Sequence, residues 1–306
     1  MIGTASFLIR SDEGIDTFRD FLGIWERWDT IEYLAIARQG YDTDETRRLL
    51  VFLPLFPWSI RLVGGIIGDY LLGALIVSSL ASLAVAVLLD RLVRFDHPPE
   101  LARRAVWFLF IFPTSYFLHV GYTESLFLAL VLGSLLAARR EYWLAAGLLG
   151  ALAGLTRLNG FVLIPTLLVE ALMQYRATRR WRQEYLWIGL SGLGFAGYLL
   201  VNYLAAGDPF AFREEQETYA AGWTLVLPWD SIRDLIGSIG WYGLGDAVTG
   251  RAQEFVFILL GLAGTIATWM MLRPSYGVWM LGNWLLFVST GYILSVPRYS
   301  LVLFPL

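Results

Sequence analysis

Cysteine and lysine are both absent from the 306-residue sequence, so all 23 basic residues are arginine. Without cysteine there is no disulfide, no thiolate nucleophile and no cysteine-held metal. The lack of lysine fits a GC-rich coding sequence, and arginine also recognises buried phosphate better than lysine does. Histidine is nearly missing too, with only His97 and His119. Any metal would therefore fall to carboxylates, which suit Mg or Mn; no cofactor is expected. There is no Walker loop, no GxGxxG fingerprint and no Ser-His-Asp arrangement.

Charge is also scarce. Only 16% of residues are charged, whereas a soluble domain carries about a quarter. In its place the chain is 57% hydrophobic and 15% aromatic, with a mean hydropathy of +0.58. From residue 70 onward apolar runs of about 20 residues recur, the length that crosses a hydrocarbon core of roughly 30 Å. The expected fold class is an all-α polytopic membrane protein. Soluble enzymes, secreted disulfide scaffolds and nucleic-acid binders are excluded. The net charge of −3 carries little information here, because placement matters more than total. Residues 1–20 are too polar to span and show no signal-peptide pattern.

Eight spans are predicted near 70–90, 101–119, 122–138, 142–156, 160–175, 186–206, 252–272 and 276–296, with a ninth starting at Ser300. Arginine placement orients them. Arg91, Arg94, Arg103 and Arg104 fall in one loop and Arg139 and Arg140 in the next. Arg176, Arg179, Arg180 and Arg182 follow the fifth span, and Arg273 follows the seventh. Eight spans put these four loops on one side, the cytoplasm. Gly121-Tyr122, Arg157–Gly160, 207–251 and Pro297–Tyr299 then face outward. Residues 49–67 are apolar enough to span but hold Pro54, Pro57 and Arg61, and a charge at mid-membrane is costly. They read as a juxtamembrane interfacial helix. The expected organisation is one transmembrane domain over residues 1–306. Within it, 1–69 form an outer loop ending in that helix, and 207–251, with Trp223, Trp229, Trp241 and Tyr242, form an outer loop or cap. No internal repeat is evident. Residues 1–48, expected outside with 10 of the 26 acidic residues, imply a transmembrane helix ahead of residue 1, and the apolar run at Leu306 implies more helix beyond it.

Four ionisable groups stand out on the outward side. Asp29, between Trp28 and Tyr33, is either a solvated surface acid or a general base towards a hydroxyl acceptor. Glu124, in Tyr122-Thr123-Glu124-Ser125, is either a helix-start carboxylate favoured by the dipole or a site residue, since an ionisable group between two apolar helices is expensive. Arg157 and Arg298 run against the charge bias. Each either snorkels to headgroups or binds a phosphate in a cavity. His119 reads mainly as a polar helix-end residue. Arg213–Glu217 reads mainly as a solvated amphipathic stretch.

In order, the sequence contains Trp28-Asp29 with Tyr33, Ile36-Ala37 and Gly40-Tyr41, then Phe52–Pro57, then Phe112-Pro113. Tyr122–Phe127, Thr156–Gly160 and Arg298-Tyr299 follow. This ordered set resembles the PIG-V-like mannosyltransferases, relatives of the second mannosyltransferase of GPI-anchor assembly within the GT-C superfamily. The resemblance runs from about residue 20 to the end. Departures are the absent first helix, the stop just after Arg298-Tyr299, and Glu32 where an apolar or aromatic residue is common. The resemblance implies an inverting transferase that moves a sugar, typically mannose, from a polyprenyl-phosphate donor. The acceptor would be a hydroxyl on a lipid, glycan or protein at the extracytoplasmic face of the cell membrane. It implies Asp29 as catalytic base and Arg157 and Arg298 as donor-phosphate ligands. Glu124, Gln216, Trp28, Tyr122 and Tyr299 would be further site residues. The alternative from another class is a transporter or lipid flippase; convergence of the four charges at one membrane face discriminates against it.

Overall fold

In a computed structural model, residues 22–219, 224–239 and 250–304 are described; Trp223, Trp241 and Tyr242 fall outside them. Twelve helices organise these residues: α1 (Asp29–Gln39), α2 (Leu55–Ile67), α3 (Tyr70–Val93), α4 (Pro99–Ile111), α5 (Glu124–Arg139), α6 (Trp143–Thr156), α7 (Leu163–Thr178), α8 (Leu193–Ala206), α9 (Phe212–Tyr219), α10 (Pro228–Ile239), α11 (Arg251–Met271) and α12 (Pro274–Val288). The 3₁₀ segments Leu158–Val162 and Gln183–Gly192 lead directly into α7 and α8. No named strand occurs among the described residues; Leu225 and Thr290 form an isolated antiparallel bridge.

Among the described residues four helical stretches are long and apolar enough to cross a membrane: Tyr70–Val93, Leu158–Thr178, Gln183–Ala206 and Arg251–Met271. The chain is a multi-pass membrane protein. The other apolar helices are shorter, for local reasons. The expected span 101–119 breaks after Ile111 because Pro113 disfavours helical backbone at the residue before it, and Phe112 is extended at ψ 140°. A 3₁₀ turn, Ser115–Leu118, follows. The expected span to 296 ends at Val288, where Ser289–Gly291 turns to pair with Thr224–Val226. The expected helix 49–67 is two pieces, the turn Arg48–Val51 and α2, separated at Phe52–Pro54. The run from Ser300 forms only a 3₁₀ turn to Val302.

At the centre lies α5. Phe127, Leu128, Val131, Leu132, Leu135, Leu136 and Ala138 are all buried, the rest of the helix is at least partly covered, and no residue of it is exposed. Outer helices turn large apolar residues outward, among them Leu80 and Leu83 of α3, Trp107 and Phe108 of α4, and Met270 and Met271 of α11. In a lipid surround such residues carry no hydrophobic penalty, so close packing and polar contacts hold the helices together instead. The seam between α6 and the 183–206 stretch is built that way. A Cβ on Gly147 would lie 2.0 Å from the Trp187 carbonyl oxygen, and one on Gly150 would lie 2.3 Å from Ser191 Oγ.

Polar contacts gather at the two ends of α5, which 16 residues at about 1.5 Å each separate by roughly 22 Å. At its C-terminal end Arg139 donates to both Asp96 oxygens (2.7 and 2.8 Å) and to Tyr276 Oη (2.9 Å), which holds the Asp96 carboxyl below its ordinary range. Buried Glu170 accepts from Arg273 Nη2 (2.8 Å) and Ser275 Oγ (2.9 Å), and Arg182 pairs with Glu141. Ion pairs thus tie together all four arginine-bearing loops expected to share a side.

Gly147→Ala should overpack the seam by about 1–3 kcal/mol and lower the thermal midpoint of the purified protein. Gly65→Ala, where an added Cβ meets nothing, should leave the midpoint unchanged or slightly higher. Equal midpoints for the two variants would mean that α6 does not pack through its glycines.

Candidate active site

The opposite end of α5 gathers groups from four distant segments. Asp29 opens α1, whose second residue, Thr30, is fully buried and donates to the Gly121 carbonyl at 3.3 Å. That contact docks α1 beside the turn leading into α5. Trp28, just before it, is half exposed and has a left-handed backbone (φ 48°), a conformation uncommon for a bulky residue. Glu124 is the first residue of α5, where the helix dipole favours a carboxylate.

Arg157 ends α6 in an extended conformation (φ −153°). The chain then folds back so closely that a Cβ on Gly160 would sit 2.6 Å from the Gly154 Cα. Asn159 Nδ2 ties this turn to Asn283 Oδ1 on α12 (3.0 Å). Arg298 lies in the single turn Val296–Tyr299, where Thr114 Oγ1 donates to the Pro297 carbonyl (2.8 Å).

The four charges meet as one alternating chain. Arg298 Nη1 donates to Asp29 Oδ2 at 2.5 Å, and Arg298 Nε donates to Glu124 Oε1. Arg157 Nη1 donates to that same oxygen at 2.6 Å and to Thr123 Oγ1 at 3.1 Å. Two carboxylates thus balance two guanidiniums, which is how buried charge is tolerated. Aromatic faces complete the surround. The Arg298 guanidinium sits 4.3 Å from the Tyr122 ring centre and 5.4 Å from that of Phe117. Arg157 lies 5.1 Å from the Tyr299 ring. Burial and the neighbouring Asp29 push the Tyr33 phenol above its ordinary range.

The members differ in exposure, and that difference matters chemically. The Glu124 side chain is 1% exposed and that of Asp29 31%. Glu124 is a fixed anchor for both arginines, and Asp29 is the partner that can leave. Glu124 Oε2 and the neighbouring Ser125 Oγ are buried with no hydrogen-bond partner among the described residues. The arrangement can present two guanidiniums to an anion while leaving a carboxylate beside it.

Of the residues expected to form a site, Asp29, Glu124, Arg157, Arg298, Tyr122 and Tyr299 are brought together, with Trp28 at the margin. Gln216 is not joined to them: it lies half-buried on α9, and no hydrogen bond or ion pair among the described residues links it to the cluster. His119 stands on the exposed side of the Ser115–Leu118 turn, with its ring 5.7 Å from that of Phe110. Thr123, Phe117 and Thr30 were missed as contributors, since each is an ordinary residue in an apolar or turn segment. Among the described residues no three or more His, Asp or Glu side chains gather as metal ligands.

Comparison with known proteins follows the same lines. Residues 53–202 match the family described as dolichyl-phosphate-mannose-protein mannosyltransferase, a match that includes Glu124 and Arg157. GPI alpha-1,6-mannosyltransferase 2 of Rattus norvegicus is 32% identical over 158 residues, 48% of this chain and 32% of that protein. The Mus musculus protein of the same name is 32% identical over 158 residues, 48% of this chain and 31% of its own length. The chain thus spans about a third of the length of the curated relatives it matches. No solved structure matches. Over about half of its length, then, this membrane protein is similar to mannosyltransferases.

Replacing Glu124 with Ala would leave two buried guanidiniums without their shared anion. It should cost about 3–5 kcal/mol, the range for breaking a buried ion pair from one side. Asp29→Ala, at the exposed end of the chain of charges, should cost about 1 kcal/mol or less. Denaturation of the two purified variants checks the order; equal losses would contradict the anchoring role of Glu124.

Proposed function

We propose that the chain carries the active centre of an inverting glycosyltransferase. It moves a sugar, mannose in the leading case, from a polyprenyl-phosphate donor to an acceptor hydroxyl on a lipid, glycan or protein. The observation that carries this reading is the contact chain Asp29–Arg298–Glu124–Arg157 at one end of the helical bundle, in a chain that is similar to mannosyltransferases over residues 53–202. A transporter would instead favour charge near the membrane midplane.

The chemistry follows from the unequal exposure of the carboxylates. A donor phosphate, richer in acceptor oxygens than a carboxylate, replaces Asp29 on Arg298 and also engages Arg157. Glu124 keeps the two guanidiniums at a fixed separation. Displaced from its cation, Asp29 becomes free to accept a proton. As the acceptor oxygen attacks the anomeric carbon, its proton passes to Asp29. The bond from the anomeric carbon to the phosphate oxygen breaks, and the electron pair goes to the polyprenyl phosphate. Its growing charge is met by Arg157 and Arg298, so their stabilisation is larger in the transition state than in the ground state. No step draws on a cofactor.

With eight crossings, as expected from the sequence, the bias of arginine to the cytoplasm would set the Arg139–Asp96 end there and this end outside. The site then faces the extracytoplasmic leaflet of the cell membrane, with α2 along the interface and α9 and α10 as a cap.

The test separates the carboxylate from the arginines. Asp29→Asn should reduce single-turnover transfer by roughly 10²- to 10⁴-fold while donor affinity survives. Arg157→Ala should weaken donor binding and slow transfer together, and Arg157→Lys should recover only part, because an ammonium lacks the bidentate fork. Wild-type turnover by Asp29→Asn would reduce Asp29 to an interfacial carboxylate and make Glu124 the candidate base.

A further inference from the structure

Glu254 sits on the first turn of α11, in a stretch apolar enough to cross a membrane, yet its side chain is buried at 7% exposure. A carboxylate there needs partners, and both its oxygens have one. Oε1 accepts from the Ser295 backbone N–H at 2.8 Å and Oε2 from the Val296 N–H at 2.7 Å. These two donors open the turn that presents Arg298. Ser295 holds a left-handed backbone (φ 64°), a strained conformation for a serine, so something must over-determine it. The same helix turn supplies a second grip: Arg251 Nη1 donates to the Ile293 carbonyl at 2.9 Å, with its guanidinium 4.0 Å from the Tyr292 ring centre. Within the turn, Arg298 and Tyr299 N–H both donate to the Ser295 carbonyl at 3.0 Å. The backbone of Arg298 is therefore referenced to α11 through Ser295 and Val296, and Glu254 fixes both.

We propose that Glu254 is a positioning residue for Arg298. Its two charge-assisted hydrogen bonds set where the guanidinium stands relative to Glu124 and Arg157, and so set affinity for the donor phosphate. The inference rests on the reading of Arg298 as a phosphate ligand. Glutamine at 254 keeps the size but offers a single oxygen, and it turns an N–H₂ group toward a backbone N–H. One of the two bonds is lost and a donor faces a donor.

The experiment measures binding of farnesyl monophosphate, a short polyprenyl phosphate, to the full-length protein in detergent, for wild type, Glu254→Gln, Arg298→Ala and the double variant. Glu254→Gln should weaken binding about tenfold, the scale of one charge-assisted hydrogen bond. Arg298→Ala should weaken it at least as much. The double variant should bind no more weakly than Arg298→Ala alone, because Glu254 acts through that side chain. Non-additivity separates positioning from general support of the fold, which would weaken binding equally in either background. Glu254→Asp, which keeps both oxygens but draws them back by one methylene, should fall between wild type and Gln and serves if Gln does not fold. Wild-type binding by Glu254→Gln, or equal weakening in both backgrounds, overturns the positioning role alone. Wild-type binding by Arg298→Ala overturns the donor-phosphate reading itself, and this inference with it.

Discussion

A single carboxylate oxygen, Glu124 Oε1, holds the site together. It accepts from Arg157 and from Arg298, residues 141 positions apart in sequence, at the start of the helix most enclosed by the others. A buried anion with two cations on one oxygen is tolerated only if every member is held, and the surrounding structure supplies the holding. The α6 glycines allow the Arg157 turn to fold tightly, Asn159 and Asn283 pin it to α12, and Thr114 and Glu254 fix the turn that carries Arg298. Removing any of these supports would leave a charge without its partner rather than merely loosen a loop.

The two ends of α5 do different work with the same residue types. At the Arg139 end, Asp96, Glu170, Arg273 and Tyr276 form closed pairs, with both oxygens of Asp96 and of Glu170 occupied. At the Glu124 end one carboxylate oxygen has no partner among the described residues and the outermost carboxylate, Asp29, is partly exposed. The first arrangement suits a clasp between helices, and the second is open to exchange with another anion.

How far the sequence foretold this can be argued residue by residue. Glu124, Arg157 and Arg298 were legible because ionisable groups at the ends of apolar helices are costly and therefore informative, and Asp29, in a polar segment, stood out through its neighbours Trp28 and Tyr33; their ordered motifs carried the resemblance. What hydropathy could not register was backbone detail. It runs straight through Phe112-Pro113, where the helix stops, and through Ser289–Ser295, where the chain turns to place Arg298. Gln216 was carried by resemblance, and no hydrogen bond or ion pair among the described residues joins it to the charges. Glu254 did give a signal, an acidic residue two places inside an expected span, but its partners are backbone N–H groups that no side-chain pattern announces.

The account's central claim is that these charges form one donor-binding site open to the outer face, and the absence of cysteine from these residues allows a direct measurement. Trp28→Cys places a thiol at a half-exposed position beside Asp29 without touching the charges. In intact cells bearing the full-length protein with no other reactive cysteine, a membrane-impermeant maleimide should label this thiol. In outward-facing membrane preparations, polyprenyl-phosphate mannose should slow that labelling. Labelling that requires permeabilised cells, or that proceeds at the same rate with and without the donor, would contradict the account.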